Sequence, residues 1–170
     1  YFSAGLNEFS GSLPASLGSL KSIREIHISG NKLTGAIPAS LGALKTLQQL
    51  NLAGNQLTGT IPAELSQLEG LYVIDLSRNK LSGSIPTDFG GAQQELLLAA
   101  NLSHNELTGA IPARIKRYLP EAAKYAHIHG LPDYGYTLFV LSGNKLSGTI
   151  PAEYLAYPKT LQLLLPQQAG

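Results

Sequence analysis

Histidines and carboxylates are the residues of this sequence that could do chemistry. The chain carries 4 His, 11 Asp plus Glu and no Cys. A metal site needs three or four converging ligands, but His127 and His129 lie two residues apart in a predicted helix and so point to different faces. His27 and His104 lie in other parts of the chain. No Ser/His/Asp set forms a catalytic motif, and no carboxylate pair stands in a pocket-like context. The sequence therefore predicts no enzyme, no metal and no cofactor.

Composition and charge exclude further classes of function. The chain has 170 residues, with 12 Lys plus Arg against 11 Asp plus Glu and a net charge of +1. Because nucleic-acid-binding domains usually present a basic patch, this balance argues against a nucleic-acid partner. With 44% hydrophobic and 14% charged residues the chain is too apolar to be disordered. No apolar run approaches the ~18 residues of a membrane-spanning helix.

The elements that must position any functional residue come from one repeated motif. Six blocks begin with asparagine and share glycine and proline, and the asparagines are spaced by 24, 24, 24, 26 and 39 residues. They read NEFSGSLP from Asn7, NKLTGAIP from Asn31, NQLTGTIP from Asn55, NKLSGSIP from Asn79, NELTGAIP from Asn105 and NKLSGTIP from Asn144. The pattern L-x-x-L-x-L-x-x-N precedes most of them, as in Leu47, Leu50, Leu52 and Asn55. A regular period of this length indicates a repeat architecture.

The repeat resembles the plant-type leucine-rich repeat over about residues 2–155. This resemblance implies an α/β repeat solenoid, a right-handed coil with a concave parallel β-sheet and an irregular or 3-10 convex side. The whole chain, 1–170, is then one domain of about six repeats. The first repeat has nothing before its strand, so its edge is expected to be open. We interpret this as a fragment of a longer chain, with a partner covering the edge as the alternative.

The same arrangement follows from the physics of one unit. In L-x-L the side chains alternate, so Ile26 and Ile28 point inward while Glu25 and His27 point outward. The rest of the unit supplies the crossover that a parallel pair of strands needs. The recurring asparagine lies where the chain turns, and its amide can pair backbone groups of adjacent coils. The glycines after it favour positive φ. The prolines begin the return segment.

Leucine-rich repeat proteins typically bind partners on the concave face, so the resemblance places the binding site on the outward strand positions. Each of these residues is otherwise an ordinary solvated side chain. The predicted partner-binding residues of the sheet are Glu25, His27, Gln49, Asn51, Val73, Asp75, Asn101 and Val140. Asn101 also begins the N-glycosylation sequon Asn101-Leu102-Ser103. This side chain is expected to be accessible if the chain is secreted.

The 39-residue spacing before Asn144 predicts an inserted helix and loop at about 115–136. A short helix is expected near 120–129, and a short segment over 156–170 follows the last repeat. The insertion is rich in aromatic and histidine side chains, which are typical of recognition elements. It weakly resembles the island segment of plant peptide-hormone receptors. The alternative is an irregular coil that packs on itself. Its candidate partner-binding residues are Tyr125, His127, His129, Tyr134 and Tyr136.

These observations favour a non-enzymatic module that binds a protein or peptide. The alternative is a structural or accessory subunit of a larger assembly. Resemblance to plant inhibitors of polygalacturonase suggests a defence protein. A row of Ser and Thr beside the glycines suggests an ice-binding protein, because some plant antifreeze proteins carry this repeat. Resemblance to receptor-like proteins implies an extracellular, signalling role. The absence of cysteine fits an intracellular or organellar site equally well.

Overall fold

The computed structural model describes residues 1–94, 96–113 and 138–152. Strands in these residues are short and follow the repeat. They are β1 (Phe2–Ser3), β2 (Ser10–Ser12), β3 (Glu25–His27), β4 (Lys32–Thr34), β5 (Gln49–Asn51), β6 (Val73–Asp75), β7 (Ser82–Ser84), β8 (Ala99–Asn101), β9 (Glu106–Gly109), β10 (Leu138–Val140) and β11 (Lys145–Leu146). Three 3-10 helices accompany them in the described residues, at Ala15–Ser19, Ala39–Ala43 and Ala63–Gln67.

One strand from each repeat contributes to a parallel sheet of six, in the order β1-β3-β5-β6-β8-β10. The inward residues are in register across it, with Ile26 opposite Leu50 and Leu50 opposite Ile74. The alternation predicted for the L-x-L pattern is therefore confirmed. Smaller parallel sheets join β2 to β4 and β7 to β9 and β11. They are built from the segment that follows each asparagine.

The core lies between the six-stranded sheet and the layer of 3-10 helices. Leucines of the middle repeats are fully shielded there, with Leu44, Leu50 and Leu65 at 0% exposure. Pro38 and Pro62 stand at the N-caps of the second and third 3-10 helices with φ of −67° and −61°, as expected for residues that begin the return segment. The predicted leucine-rich solenoid is thus confirmed.

Asparagines of successive repeats form a column along the stack. Asn55 is 7% exposed. Its Oδ1 accepts a hydrogen bond from the Leu33 backbone N–H at 3.0 Å. Its Nδ2 donates to the carbonyls of Ile28 and Leu52 at 3.0 and 3.1 Å. Each buried amide therefore pairs backbone groups of its own coil and of the preceding one, which would otherwise be unpaired in an apolar interior. The same set recurs at Asn31, Asn79, Asn105 and Asn144.

The two residues added between Asn79 and Asn105 do not disturb the sheet. Ala99 pairs with Val73, and Ala100 is fully buried in the inward position. The extra residues are accommodated instead on the helix side, where residues 87–90 form turns in place of a 3-10 helix. In the part of the chain described, no helix is long and apolar enough to cross a membrane.

Candidate functional site

The outward side chains of the six-stranded sheet form the surface that we call the outer face. Strand pairing arranges them in two columns, each crossing the strands at right angles. Glu25, Gln49, Val73 and Ala99 follow one another in the first column, and His27, Asn51, Asp75 and Asn101 in the second. Val140 continues the second column from Asn101. The structure thus brings all eight sheet residues of the predicted site together on one surface.

Side chains on this face are half-buried, because neighbouring strands crowd them from both sides. His27 and Glu25 are 27% and 31% exposed, and His27 Nε2 lies 3.3 Å from Glu25 Oε2. The ring of Tyr1 lies 5.8 Å from the His27 ring, centroid to centroid. Tyr1 therefore belongs to the face, although the sequence reasoning assigned no outward residue to the first coil. The sequence did contain the signal: Tyr1 lies two residues before Ser3, so the alternation of a strand puts both side chains on the same face.

The polar side chains of the second column also stabilise the ends of their strands. Asn51 Oδ1 accepts from the backbone N–H of Ala53, and Asp75 Oδ1 accepts from that of Ser77. Asn101 Oδ1 likewise accepts from the N–H of Ser103, and from its hydroxyl at 2.7 Å. In each of these bonds an Asn or Asp side chain accepts from the backbone N–H of the residue two positions later. This is an Asx turn, and it stabilises the backbone where the strand ends. The other polar atoms of two of these side chains pair with each other, because Asn101 Nδ2 donates to Asp75 Oδ2 at 3.4 Å.

When the alternation of the strands is extended by two residues, it predicts Ser77 and Ser103 on the exposed surface. This prediction is wrong, because both residues are 5% exposed. Each serine lies two residues beyond its strand, and its backbone N–H donates to the Asp or Asn side chain with which that strand ends. Asn101 is half-buried on β8, next to the edge strand β10, and its modification by glycan stays a prediction.

Next to the outer face, two charged or titratable residues occupy a backbone conformation that favours glycine. Arg78 and His104 both have φ of +54°. Their positions, directly before the column asparagine, are glycines in three other coils, Gly30, Gly54 and Gly143. The His104 ring lies over Gly143, since a Cβ added there would come within 2.7 Å of Nδ1. Sequence reasoning missed both residues, and the signal was Arg or His where three other coils have glycine.

The predicted residues of the insertion, Tyr125, His127, His129, Tyr134 and Tyr136, lie outside the described residues. So do the predicted helix near 120–129 and the segment over 156–170. Among the residues that the structure describes, no three His, Asp or Glu side chains gather as metal ligands would.

Comparison with known proteins identifies relatives of this architecture. A family profile described as Leucine Rich Repeat matches residues 22–44, 46–68 and 70–92. No curated protein sequence matches the chain significantly. Among solved structures, a plant ice-binding protein is 31% identical with a TM-score of 0.69, and the match covers 86% of this chain and 42% of that one.

Plant receptor kinases are similar to the chain as well. Arabidopsis HAESA, solved in complex with the peptide hormone IDA and the co-receptor SERK1, is 27% identical with a TM-score of 0.66, over 99% of this chain and 31% of that one. The ectodomain of SOBIR1 from Arabidopsis thaliana is 30% identical with a TM-score of 0.63, over 82% of this chain and 67% of that one. The chain spans less than half the length of the ice-binding protein and of HAESA.

Proposed function

We propose a binding function for this chain, which belongs to the plant-type leucine-rich repeat family. It is a non-enzymatic module that binds a peptide or a protein segment through the outer face. The observation that carries the proposal is the register of the six strands, which holds two columns of side chains in fixed positions. HAESA, which is similar over 99% of this chain, was solved with a peptide hormone and a co-receptor.

Rigidity supports this function. Backbone bonds join every pair of neighbouring strands, and the asparagine column joins the same coils a second time. A surface that is already ordered loses little conformational entropy when it binds, so more of the contact energy appears as affinity.

The size of the face sets the class of partner. Five spacings between six strands, at about 4.8 Å each, give a length of about 24 Å. An extended peptide rises about 3.3 Å per residue, so about seven residues would cross the sheet. Such a segment would meet Glu25 and His27 near one end and Val73, Ala99 and Val140 toward the other. A short extended peptide, polar at one end and apolar at the other, therefore matches the face best.

The experiment is selection of seven-residue peptides, displayed on phage, against the purified chain, followed by calorimetry of the selected peptides. His27→Ala and Val73→Asp each change one column of the face, and we expect each to weaken binding about tenfold. Gln56→Ala and Lys80→Ala are the controls, because both residues are exposed outside the six-stranded sheet. If the control variants weaken binding as much as the face variants do, the outer face is not the site.

Ice binding is a second candidate, favoured by the similarity to the plant ice-binding protein and by one row of hydroxyls. The third residue after the repeat asparagine carries a hydroxyl in every coil. The row is unbroken over six coils and consists of Ser10, Thr34, Thr58, Ser82, Thr108 and Ser147.

The test is inhibition of ice recrystallisation by the purified chain. If the row binds ice, Thr34→Lys and Thr58→Lys abolish the inhibition, while Gln49→Lys on the outer face preserves it. An inactive wild-type chain, or inhibition that survives both threonine variants, would dismiss this candidate.

A further inference from the structure

The 3-10 helices of the first three coils stack closely through glycine. A Cβ placed on Gly18 would lie 2.3 Å from the Ser40 carbonyl oxygen, and one placed on Gly42 would lie 2.5 Å from that of Glu64. Real Cβ atoms do not approach backbone oxygen so closely. Glycine at this position is therefore what lets each helix touch the next.

The third coil carries Ser66 where the first two have Gly18 and Gly42. In the repeat, the residue that faces this position from the next coil is Asp88, the equivalent of Ser40 and Glu64. Since the close stacking leaves no room for a side chain at this position, Ser66 prevents the third and fourth coils from approaching as closely. The fourth coil also has turns over residues 87–90 instead of a 3-10 helix. The close stacking of the helix layer ends here.

A cleft of about 700 Å³ opens at this place. Beside the cleft, Gln94, which is 1% exposed, bridges the third and fourth coils. Gln94 Oε1 accepts from the Gly90 N–H at 2.8 Å, and Nε2 donates to the Leu65 carbonyl at 3.0 Å. A buried side chain thus joins the two coils next to the cleft.

Acceptor groups dominate the polar lining. Carboxylates of Glu64 and Asp88 and side-chain amides of Gln67 and Gln93 line the cleft, and no Lys or Arg of the described residues does. Ser66 also lines it. This residue is only 4% exposed, and its Oγ has no hydrogen-bond partner among the described residues. A buried hydroxyl without a partner is costly, so it calls for a ligand.

We propose that this cleft binds the guanidinium group of an arginine presented by a partner protein or peptide. A guanidinium offers five donors in a planar fork and no acceptor. That set complements a lining of carboxylate, amide and hydroxyl oxygens, with the Glu64 carboxylate supplying the charge and Ser66 Oγ a buried acceptor. A volume of about 700 Å³ is within the range of sites that enclose small ligands or side chains.

This site is independent of the outer face. The core separates the helix layer from the six-stranded sheet, so a partner on one surface does not touch the other. If no peptide binds at the outer face, the arginine site is not contradicted. If arginine does not bind in the cleft, the outer face is likewise not contradicted.

The test is titration of the whole chain with N-acetyl-argininamide, followed by the backbone amide signals of Ser66, Gln67 and Gln93 in NMR spectra. The citrulline analogue has nearly the same shape and no charge. We expect saturable shifts of these signals with the arginine compound and binding about tenfold weaker with citrulline. Equal shifts with both compounds, or none with arginine, would overturn the proposal.

Two variants that remove one negative charge each distinguish binding in the cleft from a general effect of net charge. Glu64→Gln and Glu8→Gln remove the same charge, but Glu8 lies in the first coil, far from the cleft. We expect Glu64→Gln to weaken arginine binding about tenfold and Glu8→Gln to leave it unchanged. Ser66→Ala keeps the fold and removes the hydroxyl, so it also weakens binding. Equal effects of Glu64→Gln and Glu8→Gln, or full affinity in Ser66→Ala, would contradict the assignment.

Discussion

The two sides of the same coils respond differently to a change in the repeat. On the sheet side, the asparagine column and the strand register run through the fourth coil without a break. On the helix side, close stacking ends between Ser66 and Asp88, and a cleft forms. The comparison shows that the hydrogen bonds of the sheet side fix the register of the coils. The helix side can therefore vary in length and carry a site.

The largest expected effect comes from the side that fixes register. Asn79→Ala leaves the Leu57 N–H and the carbonyls of Leu52, Leu76 and Ser77 without the bonds that Asn79 makes. Several buried backbone groups lose a partner at once, so we expect a loss of about 3–5 kcal/mol in the free energy of unfolding, measured in urea.

Asn7→Ala is the control for that prediction. Asn7 is exposed, and its described bonds reach only carbonyls of its own coil, Ala4 and Gly5. We expect a loss within about 0.5 kcal/mol. Similar losses for the two variants would mean that the column does not hold the coils together.

On the helix side, Gly42→Ala forces a methyl group against the backbone of Glu64. The second and third coils must separate locally, and overpacking of this kind costs about 1–3 kcal/mol. The measurement is again urea unfolding. A neutral Gly42→Ala would show that the helix layer is not closely stacked and would remove the reason for the cleft.

Gln94→Ala tests the bridge between the third and fourth coils beside the cleft. The buried Gly90 N–H would lose its partner, and the Leu65 carbonyl would keep only the bond from the Leu68 N–H at 3.3 Å. We expect a loss of about 2 kcal/mol in thermal or urea unfolding. The neighbouring Gln93→Ala changes an exposed side chain and is expected to be neutral, so equal losses for the two variants would refute the bridge.

The smallest expected effect is a gain in the free energy of unfolding instead of a loss. Ser66→Ala removes a buried hydroxyl that has no described partner, so we expect the free energy of unfolding to rise by about 1 kcal/mol. The same substitution is expected to weaken arginine binding. A destabilised Ser66→Ala would show that the hydroxyl already has a structural partner.

Much of the fold could be predicted from the sequence, because it depends on period and alternation. Asn31, Asn55 and Asn79 recur every 24 residues and were expected to line up, and they do. Ile26 inward and His27 outward followed from the period of a strand. The outward residues of β8 were also placed correctly, despite the insertion before them.

What could not be predicted depends on distances of a few ångströms. The alternation gives no sign that Asx turns would bury Ser77 and Ser103. Ser66 in place of glycine was visible in the sequence, but its consequence requires the 2.5 Å approach seen at Gly42. Arg78 stands in the sequence where three other coils have glycine, but only the structure shows its φ of +54°.

Amide hydrogen exchange of the intact chain tests the central claim most directly. The N–H groups of Leu33, Leu57, Leu81 and Leu107 each donate to the asparagine of the next coil. The bond from Leu81 to Asn105 spans the two-residue insertion. If the column fixes the register of every coil, the Leu81 N–H is therefore protected to the same extent as those of Leu33 and Leu57. Fast exchange at Leu81 beside slow exchange at Leu33 and Leu57 would contradict it, because the stack would then divide at the fourth coil.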